Sequence, residues 1–141
     1  MDIGTRLRMP LFFLRIGVFV VMLVWTLDKF INPAHAANVF KKYFLIEGMS
    51  SAVAYAVGAA ELLLILAFAV GFRKGISYGT VLLLHGISTF ASYKQYINQY
   101  ETNTLLFFAA WPMLAACYAL YALRDLDTLW TVDARSAVPA N

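Results

Sequence analysis

The chain has 141 residues, of which 62% are hydrophobic, 16% aromatic and 13% charged, with a formal net charge of +3 and a mean hydropathy of +0.70. Soluble domains carry about 25% charged residues, so a water-soluble fold of this length would lack the polar surface to cover itself, and a lipid solvent removes that need. A nucleic-acid module is excluded because no basic run exceeds Lys41-Lys42 or Arg73-Lys74, and a disulfide-stapled secreted domain because Cys117 is the single cysteine.

A helix that spans a bilayer needs about 20 mainly apolar residues, and successive stretches of the chain meet that length. The first covers about 9–31, interrupted by Arg15 and by Asp28-Lys29. Arg6, Arg8 and Arg15 ahead of an apolar run, with Ala34-His35-Ala36 after it, resemble a cleavable leader. Asp28, Lys29 and Asn32 would then lie between the apolar core and the cut, so the segment reads as a retained span. In the connector that follows, Asn32-Pro33 has the form of a helix cap with proline at the first helical position, and Gly48 is the expected stop. Val39, Phe40, Tyr43, Phe44 and Ile46 surround Lys41-Lys42, the pattern of a short amphipathic helix at the outer interface with lysines reaching toward head groups.

The second span covers about 49–72 and holds one charge, Glu61; the third, about 75–93, has no carboxylate or Lys/Arg before its end but contains His85. The fourth covers 104–123, with a kink expected at Trp111-Pro112. The predicted fold is all-α. Residues 1–124 form one integral membrane four-helix bundle with a short amphipathic interfacial helix between spans one and two. Residues 125–141 are expected to be a flexible cytoplasmic tail. Of the 11 basic residues, Arg6, Arg8, Arg15, Arg73, Lys74, Arg124 and Arg135 fall on the side shared by both termini, and Lys29, Lys41, Lys42 and Lys94 on the other. That bias puts both termini in the cytoplasm of a bacterial inner membrane.

A charge retained in hydrocarbon costs on the order of 2.5–3.5 kcal/mol on insertion scales, so each one calls for a reason. Glu61 lies near the middle of its span on the stripe Ser51, Ala54, Gly58, Glu61, Ile65, Phe68, whose small members suit close helix contact. It is therefore expected to face inward. Its candidate partners are His85, at the same depth of the third span, and Arg15, about 9 Å from mid-membrane at about 1.5 Å per residue. Arg15, Glu61 and His85 are thus the predicted intramembrane polar cluster. It would act either as a clasp that fixes packing or as a site that handles protons or holds a polar head group. Asp28, Lys29, Lys41 and Lys42 are expected at the interface. Gly75, Gly79 and Gly86 share a face roughly 40° wide, which argues for close packing of the third span.

His35 and His85 differ in depth, so no pair of metal or haem ligands converges. No cofactor is expected to be held covalently or by metal ligands. A quinone or a lipid against Phe107, Phe108, Trp111, Tyr118 and Tyr121 is the ligand left open, with simple packing of these aromatics as the alternative. Cys117 without a second thiol cannot run dithiol chemistry.

Several short motifs are shared with a known family. Leu14-Arg15-Ile16-Gly17 opens the first span and Asp28-Lys29-Phe30-Ile31-Asn32-Pro33 closes it. The aromatic-rich loop helix follows, then Gly58-Ala59-Ala60-Glu61-Leu62-Leu63-Leu64 with Gly71 ending the second span. Over roughly residues 11–95 these features resemble the DoxX-like family of small four-helix membrane proteins, which includes DoxD and MauE-type branches. The resemblance implies a role beside redox systems: thiosulfate–quinone oxidation, maturation of methylamine dehydrogenase, or partnership with oxidative-stress enzymes. It places Arg15, Lys29 and Glu61 on recurrent polar positions. The cysteine-rich segment that follows the third helix in some MauE-like members is absent from this chain.

The leading expectation is a small accessory subunit of a membrane-associated, quinone-linked redox assembly, non-catalytic by itself. Its partners would be the bilayer and other membrane or redox subunits, with a homo-oligomer left open and no nucleic acid. One rival is a quinone-reactive oxidoreductase subunit in which Glu61 and His85 relay protons. Another is a small proton-coupled transporter using Glu61, although the small multidrug transporters that share four helices carry their membrane glutamate in the first.

Overall fold

The computed structural model describes residues 2–101 and 103–133, and every regular element among them is helical. Helix α1 runs Ile3–Ile31 and buries Leu11, Arg15, Val18, Met22, Thr26 and Lys29. That three-and-four spacing makes one stripe along the helix. Asn32 ends α1 and opens α2, Pro33–Phe44, as the sequence predicts: its Oδ1 accepts from the His35 amide at 3.3 Å, with Pro33 at the start of the helix. Leu45 closes α2 in the left-handed conformation (φ 58), ahead of the Gly48 expected to stop it.

Helix α3, Ser51–Ala69, is capped by the Ser50 hydroxyl on the Val53 amide at 3.3 Å. Its buried residues Ala54, Gly58, Ile65 and Phe68 belong to the predicted stripe. A Cβ on Gly58 would come within 3.0 Å of the Phe30 ring and 3.2 Å of Lys29 Cβ. Glycine at this position lets α3 lie directly on the last turns of α1.

Then come α4, Lys74–Ala91, and the short α5, Tyr93–Ile97. A 3₁₀ turn over Thr104–Ala109 leads into α6, Ala110–Ala122. The kink expected at Trp111-Pro112 falls inside α6, two residues past the change from 3₁₀ to α helix at Ala109–Ala110. Helix α1 packs on α3, α3 on α4, α4 on α6 and α6 on α1, while α2 lies against α1 and α3. Gly79 and Gly86 bring α4 onto Tyr121 and Leu114 of α6, whereas Gly75 meets nothing. Leu11, Val18, Ile65, Phe68, Val81 and Leu120 form the centre of the core.

Among the described residues, three helices are long and apolar enough to cross a membrane by length and composition: α1, α3 and the continuous stretch Thr104–Ala122. Their outward faces expose Phe13, Val24, Leu63, Leu106 and Tyr118, which suits acyl chains and not water. Helix α4, expected as the third span, is not among the three. Lys74, Ser77, Tyr78, His85, Ser88 and Thr89 dilute its apolar run.

Residues 125–133 depart from the expected flexible tail. They fold back across the α3–α4 turn, where the Val132 amide donates to Val70 O at 2.8 Å and the Asp133 amide to Gly71 O at 3.3 Å. Asp127 and Thr131 are buried. Gly71 has φ +61, and a Cβ there would stand 2.5 Å from Thr131 Cγ2, so both backbone and space demand glycine. The remainder of the expected tail, 134–141, lies outside the described residues.

Candidate functional site

The charges that the sequence places inside the helices form two separate clusters, both rooted in the buried stripe of α1. Lys29 anchors the first. Cα–Cβ bonds on a helix tilt toward its N-terminus, so the lysine chain runs back along α1. Its Nζ lies 2.6 Å from Glu61 Oε2 and donates to Trp25 O at 3.1 Å. The side chains are 10% and 18% exposed. Thr26 Oγ1 stands 3.2 Å from the same Glu61 oxygen and 2.8 Å from Met22 O. Its single proton serves one of them at a time.

Arg15 anchors the second cluster. Its Nη1 donates to Ala69 O at 2.8 Å and its Nη2 to Leu129 O. Nε lies 3.2 Å from Asp127 Oδ2, and both side chains are 0% exposed. This approach is ionic without being an aligned hydrogen bond, for Arg15 Nε and Asp127 Oδ1 both lack a hydrogen-bond partner, as does Thr131 Oγ1. Tyr78 donates its hydroxyl to Asp127 Oδ2 at 2.7 Å. Lys74 Nζ donates to Arg124 O at 2.9 Å and Asp127 O at 3.0 Å. The Asp133 carboxylate receives the Arg73 and Lys74 amides, each at 3.0 Å. A carboxylate on these first amides of α4 satisfies donors that have no helical partner and complements the helix dipole.

The predicted trio of Arg15, Glu61 and His85 is therefore not assembled. Arg15 goes to Asp127, Glu61 goes to Lys29, and His85 Nε2 lies 3.0 Å from Ala110 O. A carbonyl only accepts, so His85 Nε2 carries the proton in that contact. Glu61 does turn inward, as its stripe predicts. Lys29, expected at the interface, is buried against α3, because it continues the inward stripe of α1 and lies against Gly58. Of the other residues expected at the interface, Asp28 Oδ2 pairs with His35 Nδ1 at 2.6 Å and Lys41 with Glu47 at 3.3 Å. Lys42 Nζ lies 5.3 Å from the Tyr43 ring centroid.

Sequence reasoning missed Thr26, Lys74, Tyr78 and Asp127. The one available signal was that an arginine inside an apolar helix needs a carboxylate, and that carboxylate lies past the last apolar run. Along α1 the two clusters are about 21 Å apart at about 1.5 Å per residue. Val18, Met22, Ile65 and Phe68 fill the interior between them.

The aromatics expected around a ligand scatter. Phe107 meets Tyr43 at 5.9 Å, Phe108 meets Tyr96 at 5.4 Å, and Tyr118 faces outward. Trp111 stands edge-on to Phe90 at 5.8 Å, and Phe90 lines a shallow apolar groove with Leu82, Leu83, Gly86, Ile87 and Leu114. The Tyr96 hydroxyl beside it is buried without a hydrogen-bond partner, and burial pushes that phenol above its ordinary pKa. Among the described residues, no three His, Cys, Asp or Glu side chains are grouped as metal ligands would be.

The family described as methylamine utilisation protein MauE matches this chain over residues 7–102. No curated protein and no solved structure matches it. The family match and the three apolar helices agree on an integral membrane protein.

Proposed function

The chain belongs to the MauE family, and on that premise we propose that it is a non-catalytic accessory subunit of a membrane-associated, quinone-linked redox assembly of the methylamine-utilisation type. The observation that carries this reading is the engagement of Glu61 with Lys29 at 2.6 Å. A carboxylate paired in this way joins α1 to α3, which suits a packing role. In this reading α4 is a fourth span. Its inward hydroxyls are satisfied within the helix region, Ser77 on Phe72 O at 2.8 Å and Thr89 on His85 O at 2.7 Å, as a lipid solvent requires. Helix α2 lies at the outer interface, and both termini are cytoplasmic in a bacterial inner membrane.

A proton relay through Glu61 and His85 finds less support, since each residue has a different partner. A proton-coupled carrier would need a polar path away from Glu61, and Val18, Met22, Ile65 and Phe68 occupy that interior. Purification from its native membrane in mild detergent, with mass spectrometry of what accompanies it, tests the accessory role. A complex containing a redox protein is expected. A lone chain with no redox protein, under conditions that keep other membrane assemblies intact, would contradict it.

A further inference from the structure

The second cluster has the form of a binding site filled by the chain's own tail. Arg15 and Tyr78 converge on the Asp127 carboxylate from α1 and α4. Asp127 itself arrives on residues 124–133, beyond the end of α6. Lys74 Nζ completes the surround but touches only the main-chain carbonyls of Arg124 and Asp127, so its charge is not paired with a carboxylate there. All three receiving residues lie within the family-matched region 7–102, and the segment that fills the site lies beyond it.

The seating is incomplete in a specific way. Arg15 Nε and Asp127 Oδ1 are buried without hydrogen bonds although their side chains are in ionic contact. Buried polar groups are normally satisfied, and an arginine meets a free carboxylate best through two parallel hydrogen bonds. Asp127 is tethered and meets Nε off-line, and it leaves one oxygen idle. The tether also carries strain: Trp130 adopts a left-handed φ of 55, a conformation a bulky residue rarely takes. Its ring is largely exposed, with an edge contact to Phe12 at 5.2 Å.

We propose that Arg15, Tyr78 and Lys74 form a carboxylate-accepting site, that Asp127 fills it as an intramolecular plug, and that an acidic segment of a partner protein displaces residues 124–133. The partner's acidity follows from the charges: with the plug withdrawn, Arg15 and Lys74 stand as two cations in a low-dielectric setting that only an anionic group compensates. The existence of a partner rests on the accessory-subunit reading; the site and its plug do not.

Hydrogen exchange on the full chain in lipid nanodiscs, with a synthetic peptide of residues 124–133 as probe, tests the proposal. The amides of Val132 and Asp133 should exchange at least about ten-fold faster than those in the middle of α3, as a separately opening unit does. The Asp127→Asn chain should speed them further. The peptide added in excess should bind the Asp127→Asn chain, while the same peptide carrying Asp127→Asn should bind at least about ten-fold more weakly. Exchange of Val132 and Asp133 only together with the α3 core would overturn the plug, as would equal binding of the two peptides. If Asp127→Asn prevents folding, the wild-type exchange pattern alone decides. A redox complex that copurifies while the plug never opens would overturn this proposal and leave the accessory role standing.

Discussion

Lys29 and Glu61 illustrate what a charge in an apolar helix needs. Removing one member of a buried pair strands the other, at about 3–5 kcal/mol in soluble proteins, whereas replacing both by apolar side chains is often neutral. Lys29→Met is therefore expected to lower the stability of the detergent-solubilised chain by an amount of that order. Lys29→Met combined with Glu61→Leu should recover most of the loss. Thermal unfolding of both single variants and the double variant closes the cycle, and additive losses would show that the pair is not a unit. The inward turn of Glu61 was legible because Ala54 and Gly58 precede it at helical spacing. The burial of Lys29 was not, since a lysine near the end of a span ordinarily reaches the head groups. What draws it back is the absence of a side chain on Gly58, a feature of the neighbouring helix.

Among the elements, the α3–α4 turn depends most on one residue. Gly71 combines φ +61 with room for no side chain, since a Cβ would stand only 2.5 Å from Thr131 Cγ2. Gly71→Ala should cost about 2 kcal/mol or more, from left-handed strain of about 1–2 kcal/mol and displacement of Thr131. The loss should appear first as protease sensitivity within residues 124–133. Gly75→Ala serves as its counterpart, with nothing within 4 Å of a Cβ; it should change stability by no more than about 0.5 kcal/mol, the scale of a surface substitution. Equal sensitivity of the two variants to protease would contradict the packing of this segment. The helix start at Asn32-Pro33 was within reach of sequence reading because its capping group is local. The cap on α4 was not. Its donors at Arg73 and Lys74 are met by Asp133, a residue from the far end of the chain that no local pattern links to them.

At the scale of the whole molecule, composition identified lipid as the solvent, and the apolar runs located α1, α3 and the Thr104–Ala122 helix. The pairing of charges across the fold required three-dimensional proximity: Arg15 finds its carboxylate after the last apolar run, where a flexible tail was expected. The result is a helix assembly clasped by ionic contacts near the middle of α1, at Arg15, and near its C-terminal end, at Lys29, with apolar side chains between them. Such an interior favours a structural role for its charges over a conducting one. The most direct test is redox turnover of the proposed assembly carrying Lys29→Met together with Glu61→Leu. If Glu61 serves packing alone, the assembly should form and turn over within about two-fold of wild type, a difference of about 0.4 kcal/mol. A double variant that folds, inserts and joins the assembly yet loses turnover would show that the Glu61 carboxylate takes part in the chemistry.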